Sequence, residues 1–303
     1  MSFVIKILGN CAAVPANGRN QSSQLLIIEG QYILIDCGEG TQHTLINSGI
    51  NFNKINHIFI SHLHGDHYYG LIGLIGTMQL FGRKKKLQIF GPKMLSSIIE
   101  LNLKASATQL NFELEFTGLE ENQVGEILLN KRFTVETFPL QHRVPCHAFV
   151  IRERPHPYRI KKSQLNDDIK LQHIALFLQG LDVKDENDEI LFKAEDYTLP
   201  PKKSKAYAYC SDTIYDPSII NYLKEIDVLY HESTFLEDMK DRAKMTFHST
   251  AKEAATIAKE AMVGKLLLGH YSSRYTELLQ FQEQARQVFE NSYLSEEGID
   301  VKI

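Results

Sequence analysis

The segment His62-Leu63-His64-Gly65-Asp66-His67 constrains this 303-residue chain more than any other feature. Three of the chain's 12 histidines fall inside it. It follows the apolar, strand-like run 57–60. In an extended segment, side chains at i and i+2 point the same way, so His62 and His64 can face one metal ion together. Gly65 permits a sharp turn that re-aims Asp66 and His67 at a second position. Imidazole and carboxylate donors suit zinc best among the common divalent ions. A lone core histidine is ordinarily just hydrogen-bonded; three with an Asp and a turn glycine call for a cation. These ligands cannot complete two sites, and strand ends supply more. His142 follows the run 133–138, Asp212 follows 206–209, and His270 follows 265–268 with Gly269 as a turn residue. Strands lying side by side would bring those ends to one rim, where Asp212 can bridge two cations.

Short β-rich runs at 3–8, 24–28, 32–35, 57–60, 87–90, 133–138, 148–152, 206–209, 228–230 and 265–268 alternate with helical patterns. The helical patterns lie at 41–47, 70–81, 93–101, 217–224, 250–261 and 276–289. Thr250 with Glu253 three positions later reads as a capping box. Hairpin-like strands early and alternating helices and strands later suit two sheets with helices outside. Residues 154–205 differ: Pro155, Pro157, a polar run and an acidic stretch read as an insertion protruding from the core.

Lys and Arg number 33 against 37 Asp and Glu, so 33 − 37 = −4, which argues against a globally basic nucleic-acid binder. Basic clusters at 83–86, 152–162 and 202–205 read as solvated faces with room for a local anionic partner. Cys11, Cys37, Cys146 and Cys210 contain no CxxC pair and read as reduced, buried thiols. No apolar run approaches the roughly 18 residues of a membrane span. The first ten residues lack a signal peptide's features, so the expected compartment is the cytoplasm.

The histidine segment and the spacing of His142, Asp212 and His270 resemble the metallo-β-lactamase superfamily. Further motifs narrow the resemblance. They are Pro15-Ala16-Asn17-Gly18-Arg19-Asn20, Asp36-Cys37-Gly38-Glu39-Gly40-Thr41-Gln42, Ser211-Asp212-Thr213, His231-Glu232-Ser233-Thr234, His248-Ser249-Thr250 and Gly269-His270-Tyr271-Ser272-Ser273-Arg274-Tyr275. In this order, over essentially the whole chain, they resemble the ribonuclease Z family in its short form. The resemblance implies an αββα four-layer sandwich formed by residues 1–303, with residues 154–205 as a tRNA-gripping arm. It implies a zinc-dependent hydrolase that removes the 3′ trailer of precursor tRNA. His62, His64, His142 and Asp212 would hold one zinc ion, and Asp66, His67, Asp212 and His270 the other, two per subunit. Asp66 would orient the attacking water. His248 would be the acid for the leaving oxygen, held by Glu232; without the resemblance it reads as a helix-start polar residue. Asp36 would orient a ligand histidine, or simply form a turn after the run 32–35. His231 would support the same loop. Arg19, Asn20, Ser272 and Arg274 are the expected RNA contacts, and Arg154, Arg159, Lys161 and Lys162 the arm's phosphate contacts. The expected partners are precursor tRNA and a second copy of the chain, with no membrane and no DNA. Two departures stand out: Asn17 occupies a position where the family has Lys, and the arm lacks a Gly-Pro-rich stretch. The rival is a dizinc phosphodiesterase for small phosphodiesters.

Overall fold

A computed structural model describes residues 3–303. Strands β1 (Phe3–Gly9), β2 (Ser23–Ile28), β3 (Gln31–Ile35), β4 (Ile55–Phe59), β5 (Leu87–Pro92) and β6 (Leu114–Leu119) build most of one sheet. Next along the chain, β7 (Gly125–Leu129), β8 (Phe133–Leu140) and β9 (Cys146–Glu153) begin the other. After β10 (Arg159–Ile160), β11 (Val183–Lys184), β12 (Ile190–Phe192) and β13 (Thr198–Leu199), the second sheet resumes. It adds β14 (Ala206–Cys210), β15 (Val228–Glu232), β16 (Lys265–Gly269) and β17 (Ser292–Leu294). The last strand, β18 (Asp300–Lys302), returns to the edge of the first sheet beside β1. The sheet orders are β18-β1-β2-β3-β4-β5-β6 and β17-β16-β15-β14-β9-β8-β7.

Side-chain alternation builds the layers. In β1 the odd positions Phe3, Ile5 and Ile7 point to the space between the sheets. They meet Phe149 and Ile151 of β9, Tyr207 and Tyr209 of β14 and Tyr230 of β15 there. The other faces are covered by helices. Helices α1 (Thr41–Asn47), α2 (Gly65–Tyr68), α3 (Gly70–Leu80) and α4 (Met94–Ala105) follow strands of the first sheet. Leu45, Leu71, Leu74, Met78, Leu95 and Ile99 pack there on Leu34, Ile58 and Ile89. Beyond α5 (Leu171–Phe177) and α6 (Ala194–Tyr197) come α7 (Lys240–Thr246), α8 (Ala251–Glu260) and α9 (Leu279–Arg286). The alanines of α8 let it sit closely on Ala208, Leu229 and Leu266 of the second sheet. Thr250 caps α8, accepting from the Glu253 N–H, while Glu253 accepts from the Thr250 N–H.

Residues 153–204 form a second compact unit, entered from β9 and left before β14. Its core is Phe177, Val183 and Ala194, with the Phe177 and Tyr197 rings stacked 4.8 Å apart. No helix among the described residues is long and apolar enough to cross a membrane.

Several elements depart from the periodicity. Strands β6 and β7 are half-exposed and carry charged residues, which hides their pattern. Residues Pro217–Tyr222 form a 3₁₀ helix started by Asp216, whose side chain accepts from the Ser218 N–H. The basic run 83–86 is not one solvated face. Arg83 is buried, donating to the carbonyls of Asn53 and Lys86, while Lys84, Lys85 and Lys86 are exposed.

His57 and His147 are buried away from the histidine segment's cluster. Burial lowers His57 and His147 from the usual 6.5 to about 4, and neither ring nitrogen of His147 has a hydrogen-bond partner among the described residues. In the unfolded chain such a histidine takes up a proton below about pH 6.5, whereas the folded one stays neutral until about 4. Stability is therefore complete above the unfolded value and is lost as pH falls toward 4. At pH 5 each such group costs about 2 kcal/mol. Urea unfolding of the metal-free protein at pH 7 and pH 5 should show a drop about 2 kcal/mol smaller in His147→Leu than in the parent. Equal drops would contradict the buried neutral state.

Candidate metal centre

The rim where β4, β8, β14 and β16 end gathers the sequence-predicted ligands. His62 and His64 follow β4, with His64 in extended conformation, and their Nε2 and Nδ1 atoms lie 3.1 Å apart. The single turn of α2 then turns Asp66 and His67 inward. That turn packs against the loop after β3 because two glycines let backbones touch. A Cβ on Gly70 would lie 2.2 Å from the Gly38 carbonyl oxygen, and one on Gly38 would lie 2.5 Å from that of Asp66. His142 follows β8, Asp212 follows β14, and His270 follows β16 in the left-handed region at φ 58°.

Asp212 divides its carboxylate. Its Oδ2 lies 3.6 Å from His62 Nε2 and 3.7 Å from His142 Nε2. Its Oδ1 lies 3.3 Å from His67 Nε2 and 3.2 Å from His270 Nε2. Asp66 Oδ2 joins the second group, 3.5 Å from His67 and 3.4 Å from His270. His64 Nδ1 joins the first, 3.1 Å from His142 Nε2. Donor atoms at the corners of a tetrahedron with bonds near 2.0–2.1 Å are about 3.3–3.4 Å apart. The donor set therefore fits metal ions: imidazole nitrogens and carboxylate oxygens converge at the spacing of donors around one ion.

The charges point the same way. Burial pushes His62, His64 and His142 down, which keeps them neutral with a lone pair free. Burial also opposes charge on His67, yet the carboxylates of Asp212, Asp66 and Asp36 hold it well above the usual value. Burial would raise Asp66 and Asp212, but the surrounding histidines hold both below the usual carboxylate range. The pocket thus demands positive charge in its centre.

His67, His142 and His248 are each held through Nδ1. Asp36, fully buried at φ 54°, accepts from His67 Nδ1 at 2.7 Å, Tyr209 Oη at 2.7 Å, Ser61 Oγ at 2.9 Å and the Ser61 N–H at 2.7 Å. Asp36 thus both ends β3 and holds the His67 ring. His142 Nδ1 donates to the Phe247 carbonyl at 2.9 Å. Phe247 ends α7 at φ 58°, and this reversal also sets His248 at the site. His248 Nδ1 donates to Glu232 Oε1 at 2.8 Å. Burial lowers His248, but the Glu232 charge and hydrogen bond outweigh it and raise it to about 9. Glu232 is itself fully buried and accepts N–H bonds from Thr213, Thr234 and Ser249.

A cleft of about 600 Å³ opens over the cluster, lined by His64, Asp66, Asp212, His248, His270 and Ser272 among others. Not every expected residue meets it. His231 donates to the Glu232 carbonyl, since alternation along β15 turns it to the opposite face from Glu232. Arg19 is spent on the carbonyls of Tyr275 and Thr276, and Asn20 on Glu297. Asn17 adopts φ 54°, a conformation Asn tolerates, and its amide donates to the carbonyls of Ser273 and Tyr275. Arg274 is exposed, bonded to Ser272 Oγ at 3.0 Å and lying over the Phe235 ring. Sequence reasoning missed Ser61 and Tyr209, and gave Thr213 no role beyond its place in the Ser211-Asp212-Thr213 motif. Ser61 was signalled only by its place beside the histidine segment.

Two sheets between helical layers, with this His/Asp cluster at one rim, define a metallo-β-lactamase-fold protein that binds metal. Residues 3–155 match the family model described as Anti-Pycsar protein Apyc1. Over its full length the chain is 47% identical to ribonuclease Z of Cytophaga hutchinsonii, covering 98% of this chain and 95% of that one. It is 37% identical to ribonuclease Z of Parabacteroides distasonis, with 99% of each covered. The crystal structure of human tRNase Z, short form, superimposes with a TM-score of 0.70 at 26% identity, covering 98% of each chain. The chain belongs to the ribonuclease Z family.

Removing the carboxylate that orients His67 should weaken metal binding without unfolding the chain. Asp36→Asn is expected to lower affinity for zinc about 10–100-fold in chelator competition. Unchanged affinity would assign Asp36 to the turn alone.

Proposed function

We propose that the protein is a dizinc endoribonuclease. It removes the 3′ trailer of precursor tRNA, leaving a 3′-hydroxyl on the tRNA and a 5′-phosphate on the trailer. Membership of the ribonuclease Z family makes it a hydrolase, a tRNA 3′-processing endoribonuclease. The observation that carries the finer reading is Asp212, whose two oxygens face two separate histidine groups. His62, His64, His142 and Asp212 would hold one ion; Asp66, His67, His270 and Asp212 the other. Their imidazole and carboxylate donors favour zinc. Bound there, the ions supply Lewis acidity and neutralise charge on the phosphate.

The chain's own residues do the rest. Asp66 Oδ2, fixed by the Ala13 N–H at 2.7 Å, orients the attacking water. Glu232 holds His248 Nδ1, which leaves Nε2 free to hand a proton to the departing 3′-oxygen of the tRNA. Water's oxygen joins phosphorus, the bond from phosphorus to that 3′-oxygen breaks, and the phosphate stays on the trailer. Arg274 and Ser272 contact phosphate at the cleft mouth. Arg19 and Asn20 act by holding the 15–20 loop to the 273–276 loop and to Glu297. Residues 153–204 grip the tRNA, with Arg154, Arg159, Lys161 and Lys162 on phosphates. The chain works as a homodimer in the cytoplasm, where unpaired cysteines stay reduced.

Purified protein should cut precursor tRNA once, just past the acceptor stem, only with zinc restored after chelation. Asp212→Ala should not cut. His248→Ala should lose about 10²–10⁴-fold in kcat with little change in KM. A small phosphodiester hydrolysed steadily with precursor tRNA untouched would support the rival reading. Replacing residues 154–204 by a short linker should depress kcat/KM on precursor tRNA and spare a small phosphodiester. Loss of both would count against the arm's role.

A further inference from the structure

In the His231-Glu232-Ser233-Thr234 motif the mechanism leaves Thr234 unused, and its hydroxyl sits at a junction. Thr234 is buried. Its Oγ1 lies 2.8 Å from Glu232 Oε2, 2.9 Å from His270 Nδ1 and 3.2 Å from His248 Nδ1. A threonine hydroxyl has one hydrogen to give and lone pairs to accept with. An ionised Glu232 can only accept, so the Thr234 hydrogen goes to Oε2. The Thr234 oxygen must then accept from an imidazole. His248 Nδ1 already has a closer partner in Glu232 Oε1 at 2.8 Å. The remaining donor is His270 Nδ1, and a proton there leaves the lone pair on Nε2, the atom facing Asp212 and Asp66.

We infer that Thr234 is a positioning residue: it locks His270 in the Nδ1-protonated tautomer that can bind metal, and it connects that ligand to the carboxylate that holds His248. This rests on the metal-site reading of His270. One buried carboxylate thereby serves one imidazole directly and a second through a hydroxyl. The same construction recurs on the opposite side of the cluster. Asp36 takes His67 directly, while Ser61 Oγ stands 2.9 Å from Asp36 Oδ2 and 3.0 Å from His62 Nδ1. The hydroxyl matters for a physical reason. It passes on part of the carboxylate's charge and raises the basicity of the ligand without placing a second anion beside it.

The test compares Thr234→Val, which keeps shape and loses the hydroxyl, with Thr234→Ser, which keeps the hydroxyl. Zinc affinity of the full chain is read by chelator competition, and kcat and KM are read on precursor tRNA. Thr234→Val should bind zinc about 10–100-fold more weakly and lose kcat with KM nearly unchanged. Thr234→Ser should restore both to within about threefold of the parent, as the hydroxyl role requires. Nitrogen-15 spectra of labelled histidines should show the Nδ1–H form of His270 in the parent and its loss in Thr234→Val. The inference falls if Thr234→Val binds zinc as the parent does, or if Thr234→Ser fails equally, which would indicate packing of the methyl group. If Thr234→Val does not fold, Thr234→Ala is measured the same way. Weakened zinc binding in a protein that never cuts tRNA would keep the role of Thr234 and overturn the substrate instead.

Discussion

The buried carboxylate of Asp36 is the point on which the rest of the centre depends. It lies at the end of a first-sheet strand and accepts from Tyr209, a second-sheet residue whose ring is packed in the core between the sheets. It also holds the backbone and hydroxyl of Ser61, the residue from which the histidine segment springs, and the ring of His67. A fully desolvated carboxylate is costly unless donors surround it, and here they do. Those donors come from both sheets and from the ligand segment, so satisfying the charge also fixes where the sheets and the ligands stand relative to one another. Ligand geometry is thus a by-product of solving a burial problem.

Glu232 repeats the solution at the other end of the cluster. It collects N–H groups from Thr213, Thr234 and Ser249 and spends its remaining capacity on His248 and the Thr234 hydroxyl. With Asp36 on one side and Glu232 on the other, the His/Asp cluster is bracketed by two buried carboxylates. Burial keeps His62, His64 and His142 neutral, whereas the Glu232 carboxylate keeps His248 protonated.

Much of this was legible in the sequence for chemical reasons. Metal-binding side chains have few substitutes, and strand ends are the natural place to present them, so His62, His64, Asp66, His67, His142, Asp212 and His270 stood out as candidates, and the fold gathers them at one rim. Hydroxyls are different. Ser61, Thr234 and Tyr209 are ordinary residues whose roles exist only once the chain brings a carboxylate and an imidazole within reach of them. Arg19 and Asn20 show a second use of such residues: their charge and amide suggest a partner outside the chain, and in the fold they also bond internal carbonyls and Glu297. Strands β6 and β7 escaped notice because edge strands with mixed exposure lack a clean period. The pairs β10–β13 and β11–β12 are too short to have one.

The insertion between β9 and β14 has a consequence for how such a protein can change over time. These two strands are antiparallel neighbours, paired from Ala206 opposite Arg152 to Tyr209 opposite Phe149. The detour therefore leaves from and returns to one fixed register. For a flexible closed loop, each doubling of length adds only about 0.6 kcal/mol of closure entropy. Length and composition between those two strands can drift at small thermodynamic cost, while the ligand positions, clamped by the sheets, cannot. A lineage carrying this fold is free to rebuild the inserted unit while the rim residues stay where the sheets put them.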